Sequence, residues 1–469
     1  MLHEDLAVMP TNSGATYETI RGGTWLFLSN IVAMLSGFVF WFAITRVVGV
    51  WSVGVASAVV SASSIAVTLV SAGLNIAVMR EVAAKGTESL LSAMVLASLL
   101  GFLAALLTMP LTGALGYRNY APLASLLALA MCLNVSALFS LIGFEKFKGF
   151  FTASLTGSLA KLSLGILLSI LGFKALAPLI GYLAFPLAST FTALAFLISQ
   201  MRGGAKFKLN SLFSILKLSL ANYPYMFSNQ LLTMLSIYVF SFLIGEAFQT
   251  GILYITLMIT LAIAGIPNAL LSAALPIGTR RNTNPFTESF RIGLALATLA
   301  IVTVMSAPET ILKIINPELV GGANALKTLL LSITPLTALT TAIMKLNRER
   351  KTGKIALIGL ARLATLITLL PILSKTLGVN GATIAYLASS AILTPVAVKI
   401  NPEILKPLTT LWTLHTLTAL ITLIPIRNEA AIAILSLTLT ITVMHTTKTL
   451  TLQELMKTLK TITLTIIAK

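Results

Sequence analysis

A chain of 469 residues that is 57% hydrophobic and 10% charged, with a mean hydropathy of +0.96, lies far outside the composition of soluble domains, which carry about 25% charged residues. This excludes a string of soluble domains and implies an all-α integral membrane protein. The net charge of +18 raises nucleic acid as a partner, but the basic residues sit in short segments between apolar stretches, a membrane-topology pattern that removes that reading.

Crossing a bilayer takes about 20 apolar residues per helix. About fourteen such stretches follow one another, starting near Trp25, Val53, Leu90, Pro122, Phe150, Ala177, Lys217, Gly251, Phe290, Ala325, Ile355, Gly381, Pro407 and Glu429. Ahead of the first, His3, Glu4, Asp5 and Glu18 stand where a removable signal would carry a basic segment, so helix 1 itself is expected to direct insertion. Helix 1 carries Ser29, Asn30, Ala33 and Ser36 and ends at Arg46. Arg46 suits either a phosphate grip or an interfacial anchor.

Helix 5, SLTGSLAKLSLGILLSI, places Lys161 at mid-membrane depth, with Ser154, Ser158 and Gly165 on the same stripe at three- and four-residue spacing. Burying a charge in hydrocarbon costs at least a few kcal/mol, so such residues usually face a cavity and mark a substrate path. The plainer alternative is a structural cation that snorkels or bonds a carbonyl. Helix 7 carries the polar stripe Asn222, Tyr225, Asn229, Thr233 and Ser236, suited to sugar hydroxyls or to interhelical hydrogen bonds. Pro267 and Asn268 bend helix 8. Helix 11, IALIGLARLATLITLLPI, repeats the buried charge with Arg362, flanked by Gly359 and Thr365. His415, alone in helix 13, reads as packed and hydrogen-bonded. The lone Cys132 excludes an internal disulfide, the three dispersed histidines give no support to a metal site, and no phosphate-binding glycine loop is present, so no cofactor is expected.

The chain is internally duplicated. An offset of 200 lays helix 1 over helix 7 with Phe27/Phe227, Met34/Met234, Leu35/Leu235, Ser36/Ser236 and Phe40/Phe240 matched; Gly54 then pairs with Gly251, Leu159-Ala160-Lys161-Leu162 with Leu360-Ala361-Arg362-Leu363, and Tyr182-Leu183-Ala184 with Tyr386-Leu387-Ala388. Lys174 and Lys375 follow the same spacing. Helices 1 to 6 and 7 to 12 thus form two pseudo-symmetric six-helix bundles, plus two C-terminal helices. Because six is even, the repeats are parallel, about an axis along the membrane normal. The boundaries read as 1–199 and 212–400 for the lobes, 407–447 for helices 13 and 14, and 448–469 for a cytoplasmic tail able to form an interfacial helix. Of the 32 lysines and arginines, 23 fall on the side shared by both termini. Seven lie opposite (Arg46, Arg118, Lys174, Lys313, Lys327, Lys375 and Arg427), and Lys161 and Arg362 are the remaining two. By the positive-inside rule both termini are cytoplasmic.

The run TRVVGVWSVG, Thr45 to Gly54, followed by SAGLNIAVMREVA, Ser71 to Ala83, resembles the opening of Wzx-type polysaccharide flippases; IPNALLSAALPIG in helix 8 and LGVNGATIAYLAS, Leu377 to Ser389, resemble their counterparts there. The chain departs from that pattern at Ser71-Ala72, where an acidic residue is common. The resemblance implies the multidrug/oligosaccharidyl-lipid/polysaccharide exporter fold, with two six-helix lobes around a central cavity. It also implies a cell-membrane flippase that moves a polyisoprenyl-(pyro)phosphate-linked oligosaccharide from the inner to the outer leaflet, without covalent chemistry. The implied partners are that lipid-linked oligosaccharide, membrane lipids and glycan-assembly enzymes. Cation-coupled drug exporters of the same fold, the alternative reading, are implied to use an embedded carboxylate, whereas all fourteen acidic residues here read as lying at helix ends or in loops. The expected substrate-binding set is Lys161, Arg362, Arg46, Asn30, Asn222, Tyr225 and Asn229. A membrane glycosyl ligase would need a sizeable outer loop, and no segment qualifies.

The charge split makes a direct prediction. With Cys132 replaced, single cysteines placed between Asn347 and Lys354 are protected from an impermeant thiol reagent in intact cells. Labelling of that loop from outside would overturn the assigned orientation.

Overall fold

The computed structural model describes residues 13–201, 207–281, 285–349, 351–422 and 429–450. Among them every regular element is a helix. In chain order these are α1 (Ser13–Ser71), α2 (Leu74–Lys85), α3 (Thr87–Ala114), α4 (Ala121–Gly143), α5 (Phe147–Ile170), α6 (Leu176–Met201), α7 (Leu209–Ile244) and α8 (Ala247–Arg281). They continue as α9 (Phe286–Ser306), α10 (Pro308–Ile315), α11 (Ala323–Leu331), α12 (Ile333–Arg348), α13 (Thr352–Ala391), α14 (Thr394–Ile400), α15 (Leu405–Ile421) and α16 (Glu429–Thr446). Nine spans among the described residues are long and apolar enough to cross a membrane, and all fourteen starts read from the sequence fall inside a helix. The protein is a multi-pass, all-helical membrane protein.

Two of the nine spans are each two helices joined at a break. α1 breaks at Gly49 (φ 81°, ψ 166°) and α13 at Gly378 (φ 56°, ψ −133°), conformations that a Cβ would make costly. Gly245, between α7 and α8, and Gly172, between α5 and α6, also hold positive φ. Gly49 and Gly245 follow the first helix of each sequence half, and Gly172 and Gly378 follow the fifth. The duplication is thus written in the turns as well as in the apolar runs.

The chain divides into two compact units, Met1–Phe40 with Ala62–Phe227, and Trp41–Ser61 with Ser228–Lys469. In the first, α3 packs on α4, α5 on α6, and α2 on α4. Leu74, Val78, Leu96, Leu100 and Ile215 form one of its cores, and Asn134 on α4 donates to Thr190 Oγ1 on α6 at 3.2 Å. α2 lies between the first two lengths of apolar sequence and carries Glu81, which is only 4% exposed, pairs with Lys85 and accepts from Ser214 Oγ at 2.9 Å. The expectation that every carboxylate lies at a helix end or in a loop is corrected here. Glu81 sits in the body of α2, where Lys85 and Ser214 offset its burial.

In the second unit α8 packs on α9, α11 and α12, and the last two helices, α15 and α16, pack on α9. The stretch from Glu309 to Asn324 folds as α10, a 3-10 turn (Pro317–Gly322) and the start of α11. This segment closes the break in α1. In an unbroken helix Val50 N–H would donate to Arg46 C=O; the turn at Gly49 (φ 81°, ψ 166°) takes that donor out of the ladder. Asn316 Nδ2 donates to Thr45 O at 2.9 Å, Val50 N–H donates to Glu318 Oε2 at 3.3 Å, and Arg46 Nη1 donates to Ile314 O at 2.7 Å. Asn316 Oδ1 meanwhile accepts from Glu318 N–H at 2.9 Å, which holds the clamp in shape.

Just beyond the break, α1 crosses α8 with backbones in contact. A Cβ placed on Gly54 would fall 1.7 Å from Ala247 O, and one on Gly251 would fall 2.3 Å from Val50 O. The contact is reciprocal. Val50 and Ala247 are separated by the same 197 residues as Gly54 and Gly251, so each repeat places its glycine against the other's carbonyl.

Two stability predictions follow from these contacts. Gly54→Ala and Gly251→Ala drive a methyl into backbone and lower the unfolding free energy of the purified protein by about 1–3 kcal/mol, whereas Gly113→Ala, which meets nothing within 4 Å, leaves it unchanged. Equal thermal stability of the Gly54 and Gly113 variants would refute the close crossing. Asn316→Ala and Asn316→Asp both remove the donor to Thr45 O and cost about 1–3 kcal/mol, with faster amide exchange around residues 45–50. Glu318→Gln retains an acceptor for Val50 and is the milder change.

Candidate functional site

Among the described residues three Asp, Glu, Lys or Arg side chains are buried: Glu81, Lys161 and Arg362. Glu81 is paired; neither cation has a carboxylate partner among those residues.

Lys161 owes its position to a stripe of small residues on α5. Gly149, Ala153, Ser154, Gly157, Ser158, Lys161, Gly165 and Ser169 are buried, while Leu159, Leu164, Leu167 and Ile170 are exposed on the other face. The expected stripe is therefore an interior face. Its glycines admit neighbours closely: Gly157 lies against Phe185 and Ser189, and Gly165 and Gly181 both lie against the Phe40 ring. Lys161 is 6% exposed as a residue; its ammonium is 3.3 Å from Ser36 Oγ, which lies 3.1 Å from both Ser158 Oγ and Ala33 O. Phe40 and Phe185 cover it, with ring centroids at 5.6 and 5.5 Å. An ammonium has three donors and here meets one oxygen and two aromatic faces. Cation–π attraction of this kind is worth about 2 kcal/mol or more when desolvated.

Arg362, 8% exposed, lies on the buried face of α13 with Ile355, Ile358, Leu366 and Leu370. Its guanidinium carbon is 5.7 Å from the centroid of Tyr386. Residues 24 apart on one straight helix would be about 36 Å apart, so the two arms of α13 fold back on each other at Gly378. Nε and Nη2 of Arg362 are buried without a hydrogen-bond partner among the described residues. Leaving a charged donor buried and unpaired is costly, and an anion brought to this guanidinium would remove that cost.

The two cations share more than depth. Phe185 follows Lys161 by the same 24 residues that separate Arg362 from Tyr386, so a buried cation beneath an aromatic ring occurs once in each half at an offset of 201. The repeat in the sequence pairs Tyr386 with Tyr182; the rings that recur over the cations at the 201-residue offset are Phe185 and Tyr386, with Phe40 a second ring over Lys161 alone. Ser36 was visible as a polar residue of helix 1, but its role as the oxygen partner of Lys161 was not. The signal able to reveal the rings was the i, i+24 recurrence.

The other expected residues lie elsewhere. Asn30 is exposed on α1. Arg46 is exposed at the Gly49 end of the first arm of α1, holding Ile314 O. Asn222, Tyr225 and Asn229 belong to α7, and their side chains lie outside the described residues. His415 is fully buried, with Nδ1 2.9 Å from Thr334 Oγ1 and Nε2 3.0 Å from Thr298 Oγ1, so both ring nitrogens are satisfied as a packed histidine requires.

The fold matches known transporters. A structure of the lipid II flippase MurJ in an inward closed conformation superimposes with a TM-score of 0.63 at 15% identity, over 91% of this chain and 99% of that one. An inward-facing multidrug resistance MATE family transporter of the MOP superfamily gives a TM-score of 0.57 at 16% identity, over 80% and 94%. A MOP superfamily transporter from Pyrococcus furiosus, described as having a binding pocket of reverse polarity, gives 0.55 at 14% identity, over 81% and 96%. The fold is thus that of MOP superfamily transporters. No curated protein matches the chain by sequence. The family model described as polysaccharide biosynthesis protein matches residues 19–280, more than half of the chain, and the chain belongs to that family.

Proposed function

We propose that this protein is a flippase that carries a polyisoprenyl-(pyro)phosphate-linked oligosaccharide from the inner to the outer leaflet of the cell membrane by alternating access, with both termini in the cytoplasm. The observation that carries the reading is the duplicated buried cation: Lys161 and Arg362, each under an aromatic ring and neither paired with a carboxylate among the described residues. An embedded cation without a counter-ion suits an anionic headgroup. The sugar would pass through the protein while the lipid tail stays in the bilayer, so only the headgroup needs compensation for its lost hydration.

Lys161 is walled by Ser36 and Phe40 of α1, so a phosphate reaches it when α1 and α5 part. Ser36 would then give way to a stronger, charge-assisted acceptor, and differential affinity for the parted state would drive the cycle. Arg362, with two donors unspent, takes a phosphate oxygen without displacing a hydrogen bond. Asn30, Asn222, Tyr225 and Asn229 are proposed to meet sugar hydroxyls. The likeness in fold to a lipid II flippase supports a lipid-linked cargo. The likeness to MATE transporters keeps a drug or metabolite exporter as the rival, yet the one buried carboxylate among the described residues, Glu81, is already paired with Lys85. The proposed partners are the lipid-linked oligosaccharide, membrane lipids and glycan-assembly enzymes, and no enzymatic step is proposed.

The test is transport by purified protein in vesicles loaded with lipid-linked oligosaccharide. Lys161→Gln and Arg362→Gln remain inserted and folded but flip the lipid at least about tenfold more slowly, the worth of one charge-assisted hydrogen bond of about 1.5–3 kcal/mol. Lys161→Arg is milder than Lys161→Gln, since charge counts for more than shape at first contact. Parental rates for both Gln variants would make the cations structural and end the proposal.

A further inference from the structure

The Gly49 break and the segment that closes it build a second cationic site, separate from Lys161 and Arg362. An open cleft of about 590 Å³ in the second unit is lined by Phe42, Arg46, Thr310, Lys313 and Ile314. α10 presents Thr310, Lys313 and Ile314 outward while Pro308, Leu312 and Ile315 are buried. One of the five N–H donors of Arg46 is spent on Ile314 O at 2.7 Å, which fixes the guanidinium at the cleft. Lys313 adds a second positive charge, and Thr310 a hydroxyl. The same cleft also has an apolar wall: Ile314 is 54% exposed and lies beside Phe42. Two cations, a hydroxyl and exposed hydrocarbon in one cleft match a molecule with an anionic head and an apolar tail.

We propose that this cleft binds the phosphate group of a lipid, with the phosphate held between Arg46 and Lys313 and the first carbons of the tail against Phe42 and Ile314. Both a resident anionic glycerophospholipid and a polyisoprenyl phosphate carry this chemistry. Arg46 and Lys313 belong to the set of basic residues opposite the side shared by the termini, where the positive-inside bias leaves few cations. A basic pair on that sparse side is therefore a local feature rather than part of the general topology signal. The clamp through Asn316 and Glu318 joins the cleft to the backbone of α1 at its break, so a bound lipid would rest on the same segment that holds the two arms of α1.

The experiment uses the full-length protein in detergent at low ionic strength and measures binding of phosphatidylglycerol, a polyisoprenyl phosphate, phosphatidylcholine and inorganic phosphate. The expected result is that the two lipids bearing net negative charge bind, that phosphatidylcholine and inorganic phosphate bind at least about tenfold more weakly, and that Lys313→Gln lowers the affinity about fivefold, the contribution of one basic residue to an anionic lipid. Arg46→Gln lowers it at least as much but also loses the bond to Ile314, so Lys313→Gln, which has no such bond, is the decisive variant. Tighter binding of polyisoprenyl phosphate than of phosphatidylglycerol identifies transported cargo as the occupant; the reverse order identifies a resident lipid. Unchanged binding in Lys313→Gln, equal binding of phosphatidylcholine, or equal binding of inorganic phosphate would each overturn the proposal. Lys161→Gln and Arg362→Gln retain lipid binding at this cleft, so failure of transport in those variants and failure of this site are separately visible.

Discussion

In hydrocarbon no water is at hand for a freed backbone group, so a membrane helix can break only where other parts of the protein take over its hydrogen bonds. The first long helix shows this constraint most plainly. Gly49 supplies the backbone conformation that ends one arm and starts the next, and Asn316 and Glu318, more than 260 residues away in sequence, bond Thr45 C=O before the break and the Val50 N–H that the break releases after it. The helical segment from α10 through the 3-10 turn is placed by this requirement. The break sets where the chain re-enters, and with it the crossing at Gly54 and Gly251.

The same scarcity of water governs the charged side chains. A cation inside an apolar bundle needs an opposite charge, a set of oxygens or a polarisable surface, and Lys161 and Arg362 have aromatic rings and few oxygens. Lys161 is nearly enclosed by Ser36, Phe40 and Phe185, while Arg362 has two donors unmatched among the described residues. The asymmetry has a physical basis: an ammonium is a compact charge that a small cage can surround, whereas a planar guanidinium presents five donors that one ring face cannot satisfy. On the proposed function, a phosphate would meet the unmet need at both places, more strongly at Arg362.

Duplication accounts for much of the architecture. Both halves place a positive-φ glycine after their first and fifth helices, both set a cation beneath a ring 24 residues further on, and at Gly54 and Gly251 equivalent positions touch each other reciprocally. These recurrences are independent of one another, since one concerns turns, one polar packing and one backbone approach. Yet the halves are not copies in detail: Phe185 stands where Tyr386 does, and lysine where arginine does, so the two cations sit in chemically different surroundings.

Much of this is legible in the sequence. Apolar length identified the helices because about 20 residues is the thickness of the bilayer core, and Lys161 and Arg362 stood out because a charge in such a run is anomalous. Gly54 and Gly251 were matched in sequence, though nothing local said that they meet. The rings over the cations and the cleft beside Arg46 were not legible, nor was the clamp at Asn316 and Glu318 or the pairing that buries Glu81 within α2. Each depends on side chains brought together from distant positions, whereas a sequence reports only its own periodicity and neighbours. Hydrophobicity, charge and repetition along the chain determined that this is a duplicated helical membrane protein with two buried cations. Which groups satisfy those cations and the broken backbone was decided only by tertiary packing, because hydrogen bonds and ring contacts follow distance in space, not separation in sequence.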